Sequence, residues 1–224
     1  RATTPRRRMF LLCNPHNPVG RVFTREELLR LAEICLRHDL IICADEVHGD
    51  LIYNGYRHVP IASLDPEIEA RTITLLAPSK TFNLAGLKSS VAVVPNQALR
   101  EKFMAARVDM VQAGNILGYT AMLAAYRDGQ PWLDELLRYL ESNRDFLVKY
   151  VRSNFPKIEM GVPEGTYLAW LDCREAGIPG NDPFTFFLES GRVAFNDGMT
   201  IGRGGEGFIR LKFGCPRGLL LQGL

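Results

Sequence analysis

Leu40-Ile41-Ile42-Cys43-Ala44 is an apolar run with no polar alternation, closed at once by Asp45-Glu46. A run of this kind reads as a strand covered on both faces, as in a sheet sandwiched by helices. Ahead of it, residues 24–38 read as an amphipathic helix. Leu28, Leu31, Ala32 and Cys35 recur at i, i+3, i+4 and i+7, and Thr24 with Glu27 forms a capping-box pattern. Met9–Cys13 is a further apolar strand, and Thr72–Leu76 and residues 89–94 repeat its character. Strand, helix, strand with such runs predicts an α/β fold on a mostly parallel sheet. Asn14-Pro15-His16-Asn17-Pro18-Val19-Gly20 must be a loop, because two prolines and a glycine break any ladder.

The pattern changes in the second half. Residues 116–127 read as a helix. A longer one over 132–154 starts on Pro131 and carries a seam of Leu133, Leu136, Leu137, Leu140, Leu147 and Val151. After Pro156, strand-like residues 166–172, a helix over Pro183–Ser190 and strand-like residues 208–213 predict a smaller α+β unit. The expected division is therefore a large α/β domain over residues 1–135 and a small domain over 136–224 that opens on the long helix.

Charge and cysteine usage exclude several classes. With 27 Lys+Arg against 25 Asp+Glu the 224-residue chain carries a formal +2, which predicts neither a nucleic-acid nor an anionic-membrane partner. The basic triplet Arg6-Arg7-Arg8 reads as a solvated lead-in to the first strand. The longest apolar runs are too short to cross a bilayer. The five cysteines are odd in number and contain no Cys-x-x-Cys, which argues against a disulfide framework or zinc ribbon and for a reducing, cytoplasmic compartment. His16, His38 and His58 have no metal-ligand spacing, so no metal site is expected. Gly202-Arg203-Gly204-Gly205-Glu206-Gly207 precedes a strand instead of opening a helix, and so reads as a loop, not a phosphate cradle.

Three polar residues fall at the carboxyl ends of the predicted strands, where open α/β sheets bind ligands. Asn17 follows the first, Asp45 closes the second, and Lys80 lies four residues past Leu76. Singly they read as a turn residue, a helix cap and a solvated amine. Together they supply an amide, a carboxylate and an amine to one crevice. Pyridoxal phosphate needs that set: an amine to bond its aldehyde, a carboxylate to keep its ring nitrogen protonated, and a donor for its ring hydroxyl.

Asn14-Pro15-His16-Asn17-Pro18-Val19-Gly20, Asp45-Glu46-Val47-His48 and Ser79-Lys80-Thr81-Phe82-Asn83-Leu84-Ala85-Gly86 resemble the class I/II aminotransferase family of fold-type-I pyridoxal-phosphate enzymes. With residues 166–172 and 207–217 they resemble its cystathionine β-lyase (C–S lyase) branch. The resemblance implies that Lys80 holds the cofactor covalently, Asp45 pairs with the pyridine nitrogen, and Asn17 donates to the ring hydroxyl. It places His48 beside that hydroxyl, Ser79 and Lys88 near the phosphate, and Arg210 on the substrate α-carboxylate, a bidentate task suited to arginine. Two family features are altered: Ala77 stands where many relatives have a phosphate-binding serine, and Lys88 where many have an arginine. The family also carries a long segment ahead of the Asn-Pro strand, so the chain reads as a piece of a longer protein with an incomplete large domain.

The activity implied is β-elimination from cystathionine or another cysteine S-conjugate. Lys80 would remove the α-proton, and thiol, pyruvate and ammonia would be released. An aminotransferase using the same residues is the alternative, and a catalytically silent piece or interaction module is the alternative of another class. A nicotinamide dehydrogenase is disfavoured, because no Gly-x-Gly-x-x-Gly follows a strand to open a helix. The resemblance further implies a homodimer, with Asn115 and Tyr119 facing a neighbouring site, and a small amino-acid substrate.

Overall fold

A computed structural model describes residues 4, 6–108, 110 and 114–224; residues 1–3 and 5 of the basic lead-in lie outside it. The chain divides into two compact units, one of residues 1–15 and 22–134, the other of residues 16–21 and 135–224.

The first unit runs β1 (Met9–Cys13), α1 (Arg25–Arg37), β2 (Ile41–Asp45), α2 (Pro66–Glu69), β3 (Thr72–Leu76), α3 (Pro78–Thr81), β4 (Val91–Val93), α4 (Gln97–Ala106) and α5 (Ile116–Asp128). Its sheet has the order β1-β2-β3-β4. The first three strands are parallel, with Cys13 level with Asp45 and Asp45 level with Leu75. β4 is antiparallel to β3. Its apolar character matched the other strands, but direction is set by the connection. Between β3 and β4 the chain makes only the single turn of α3 and a 3-10 turn, with no helix long enough to carry it back for a parallel crossover.

Helix α1 starts where its cap dictates. Thr24 Oγ1 accepts from Glu27 N at 3.3 Å, and the Glu27 carboxylate accepts from Thr24 N at 2.9 Å. Its stripe of Leu28, Ala32 and Cys35 packs on Leu12, Ile42 and Ala44 of the sheet, together with Ile61 and Ile68. The opposite face of β2 is less covered than its apolar run predicts. Ile41, Cys43 and Asp45 are only half-buried, and Leu11, level with Cys43, is 67% exposed.

α6 (Gln130–Asn154) starts in the first unit and continues into the second. The second unit then runs β5 (Glu159–Met160), β6 (Leu168–Asp172), α7 (Pro183–Ser190), β7 (Asn196–Asp197), β8 (Phe208–Lys212) and α8 (Arg217–Gln222). Its antiparallel sheet has the order β5-β6-β8-β7. Ala169, Leu171, Ile209 and Leu211 supply its buried face, and α6 adds Leu140, Leu147 and Val151 to the core. A fully buried Asn143 interrupts that apolar seam and is satisfied at both ends. Its Nδ2 donates to the carbonyls of Phe213 (3.1 Å) and Cys215 (2.8 Å), and its Oδ1 accepts from Arg217 Nε at 2.8 Å. The Gly-Cys-Pro-Arg stretch thus pins α8 to α6.

The glycine-rich stretch 202–207 closes the β7–β8 connection by backbone contact. A Cβ on Gly198 would lie 2.6 Å from the Phe208 carbonyl oxygen and closer still to that of Gly205. Backbone cannot yield as a side-chain tip does, so Gly198→Ala is expected to cost about 2 kcal/mol; a thermal melt of the variant unchanged from the parent would refute this packing role. All five cysteines are free, and burial, reinforced by Asp172, pushes the Cys173 thiol up to about 12. Among the described residues no helix is long and apolar enough to cross a membrane.

Candidate active site

The first unit gathers its polar groups at the carboxyl edge of the parallel strands. Asp45 is the last residue of β2, and its Oδ1 accepts from Val47 N at 3.3 Å. The main chain around it is tied to both neighbours: Asn14 N donates to the Asp45 carbonyl at 3.1 Å, and Glu46 N to the Leu75 carbonyl at 3.0 Å. Lys80 stands exposed on α3, the turn that follows β3 directly, with Pro78 opening that turn and a half-buried Ser79 before the lysine. Adjacent parallel strands therefore deliver Asp45 and Lys80 to the same edge of one sheet. His48 is buried in the turn after β2.

Beneath Asp45 the geometry is held by side chains. Asn14 Oδ1 accepts from Phe23 N at 3.0 Å, which turns Nδ2 toward His58 Nδ1 at 3.4 Å. His58 Nδ1 is then the acceptor, and Nε2–H donates to Glu46 Oε2 at 3.0 Å, while Glu46 Oε1 accepts from Ile61 N at 3.2 Å. Glu46 is 3% exposed, so its carboxylate relies on these donors in place of water. Sequence reasoning passed over this chain, because Asn14, Glu46 and His58 are far apart along the backbone.

Asp45 also lines a cavity of about 420 Å³ with Leu75, Lys88, Ser89, Phe103 and Tyr119. Lys88 is exposed as a residue and holds a left-handed backbone (φ 50°). Ser89 is buried, and its Oγ has no hydrogen-bond partner among the described residues. Ser89 is a second residue that the sequence reading missed, and nothing in a Lys-Ser-Ser triplet marks it. Tyr119 lines this cavity within its own chain, and Asn115 caps α5 by accepting from Leu117 N at 3.0 Å.

Asn17 and Arg210 belong to the second unit and touch there. The loop bearing Asn17 is anchored by Gly20, whose carbonyl accepts from Glu164 N (2.8 Å) and Gly165 N (3.0 Å). Gly20 has φ +76°, and a Cβ there would meet Pro163 at 2.8 Å, so only glycine fits. The Asn14–Pro15 and Asn17–Pro18 peptides are cis. Arg210 Nη1 donates to Asn17 Oδ1 at 2.7 Å, which leaves the Asn17 Nδ2 hydrogens as the donors it can offer a ligand. Nearby, burial raises the Tyr167 phenol and the positive Arg210 works against it. Arg210 lines a cavity of about 530 Å³ with Asn196, Lys212, Cys215 and Leu220.

Comparison with known proteins places the chain among relatives of one family. The profile of the aminotransferase class I and II family matches residues 1–217. Cystathionine beta-lyase PatB of Bacillus subtilis (strain 168) is 42% identical over 217 residues, covering 96% of this chain and 56% of that protein. Protein MalY of Escherichia coli (strain K12) is 35% identical over 222 residues, covering 98% of this chain and 56% of its own length. Among solved structures, a PLP-bound putative aminotransferase from Clostridium difficile 630 superposes with a TM-score of 0.93 at 42% identity, covering 96% of this chain and 56% of that one. Cystalysin from Treponema denticola, which contains a pyridoxal 5'-phosphate cofactor, superposes with a TM-score of 0.92 at 34% identity, covering 96% and 55%. The chain spans about half the length of the curated relatives it matches.

Proposed function

We propose, since the chain belongs to the aminotransferase class I and II family, that it serves a pyridoxal-phosphate-dependent carbon–sulfur β-lyase acting on cystathionine or a related cysteine S-conjugate. The observation that carries the reading is the delivery of Asp45 and the Lys80 turn to one edge of adjacent parallel strands, in a chain whose relatives include named cystathionine β-lyases.

The residues present suit the cofactor. A carboxylate closes β2, an exposed amine follows β3, and a buried hydroxyl without a hydrogen-bond partner among the described residues, Ser89 Oγ, shares a cavity with Asp45 and the Lys88 ammonium. Lys88 with Ser89 and Ser79 would hold the phosphate, replacing the serine and arginine that Ala77 and Lys88 displace. Asp45 would keep the ring nitrogen protonated, and Asn17 Nδ2, with His48, would face the ring hydroxyl. When bound, the cofactor supplies the electron sink that lets the Cα–H bond and then the Cβ–S bond break heterolytically. Lys80 Nζ takes the proton from Cα as general base. Arg210 would take the substrate α-carboxylate in a two-pronged fork. The products of that chemistry would be the thiol, pyruvate and ammonia.

The deciding experiment supplies the whole protein, loaded with pyridoxal phosphate, with cystathionine and no keto acid. Stoichiometric thiol and pyruvate are expected; turnover that requires a keto acid would instead assign the chain to the aminotransferases, and no turnover with either would favour a silent piece or interaction module. Asp45→Ala is expected to lower kcat about 10²-fold or more, since the ring nitrogen loses its charge partner. An undiminished rate would remove Asp45 from the site. The exposed Ile116, Leu117 and Leu123 of α5 support a homodimer, measurable by sedimentation, and five free cysteines support a cytoplasmic, reducing location.

A further inference from the structure

Arg210 is held by two amide oxygens, and the way its hydrogens are used has a chemical meaning. A guanidinium has five N–H donors. Nη1 donates one to Asn17 Oδ1 at 2.7 Å, while Nε and Nη2 donate one each to Asn196 Oδ1 at 3.3 and 2.9 Å. One hydrogen is left on each terminal nitrogen, and these two are the donors still open to the oxygens of a carboxylate. Both acceptors are neutral, and Arg210 forms no ion pair among the described residues, so its full charge stays available to an anion.

Asn196 is not a surface amide that happens to lie nearby. It is paired with Arg210 across the β7–β8 ladder, which sets the two side chains side by side. The next residue is fixed in turn: Asp197 Oδ1 accepts from Met199 N at 2.9 Å, its carbonyl accepts from Thr200 Oγ1 at 2.7 Å, and Gly198 packs on the Phe208 carbonyl. Strand register, cap and glycine contact together hold Asn196 where its oxygen takes the Nε edge of the arginine.

We infer that Asn196 is a positioning residue for Arg210: it occupies the Nε side of the guanidinium with a neutral acceptor and thereby presents Nη1 and Nη2 to the substrate carboxylate. The inference rests on the assignment of Arg210 to that carboxylate. An aspartate would fill the same volume and accept the same hydrogens, but it would neutralise the arginine. Amide and carboxylate at position 196 therefore separate a charge-sparing role from a merely structural one.

The test compares Asn196→Ala, Asn196→Asp, Arg210→Ala and the Asn196→Ala/Arg210→Ala double variant in the whole protein loaded with pyridoxal phosphate. Three quantities are read: kcat and KM for the amino-acid substrate, the dissociation constant of propionate by calorimetry, and the visible absorbance of the bound cofactor. Asn196→Ala is expected to raise KM and weaken propionate about tenfold, with a smaller change in kcat and an unchanged cofactor spectrum. Asn196→Asp should bind propionate more weakly than Asn196→Ala, whereas a structural contact would be rescued by the isostere. In the Arg210→Ala background, Asn196→Ala should add nothing. Rescue by aspartate, or an equal tenfold loss without Arg210, overturns the role of Asn196 while leaving Arg210 in place. An Arg210→Ala variant with unaltered KM and propionate binding overturns the Arg210 assignment and this inference with it.

Discussion

Lys80→Ala is expected to lower kcat at least about 10³-fold and to abolish covalent capture of pyridoxal phosphate. Two jobs are lost at once, because the amine that bonds the aldehyde is also the base that takes the α-proton. The variant should still fold: Lys80 is exposed on the short α3, and its side chain makes no hydrogen bond or ion pair among the described residues. The measurement is borohydride reduction of the loaded protein followed by mass mapping of the peptide bearing residue 80, alongside the near-ultraviolet absorbance band. A label that persists in Lys80→Ala, or that maps to another lysine, would end the proposal.

The other large effect expected is on stability. His58→Ala should destabilise the first unit by about 3 kcal/mol, because it strips a buried carboxylate of its imidazole N–H donor and leaves Glu46 with one backbone donor. Glu46→Gln should cost less, since an amide oxygen can still accept from Ile61 N. The network lies directly under the edge that bears Asp45: Asn14 N holds the Asp45 carbonyl, and Glu46 N holds that of Leu75. Urea unfolding followed in both variants gives the comparison. A loss below about 1 kcal/mol in His58→Ala would mean that water or another group replaces the imidazole, and that the chain of hydrogen bonds is ornamental to stability.

How much could be read from the residues alone follows from the range of the forces involved. The expected strands Met9–Cys13 and Thr72–Leu76 and the helix Pro183–Ser190 fall on the residues observed. The α1 cap does too, because Thr24 and Glu27 act across three residues. The close of β2 at Asp45 was visible as the end of an apolar run. The direction of β4 was not, since a strand's composition is the same whichever way it runs. The uncovered face of β2 was not either, since an apolar run states what a strand can bury and not what is there to bury it.

The site divides along the same line. The residue types and their order, Asn17 before Asp45 before Lys80, and the family to which such motifs belong, were determined by the sequence itself. Local chemistry and short spacing are written directly in the chain. The tertiary structure alone decided which amide meets which partner: the oxygens of Asn196 and Asn17 on Arg210, 14 and 193 residues apart from it, the Nδ2 of Asn14 on His58 across 44 residues, and the Nδ2 of Asn143 on the Phe213 carbonyl across 70. It also decided that residues 16–21 pack with the second unit. Such pairings depend on register and on close backbone approach at glycines, which exist only once distant segments have been brought together, and no periodicity in the chain encodes them.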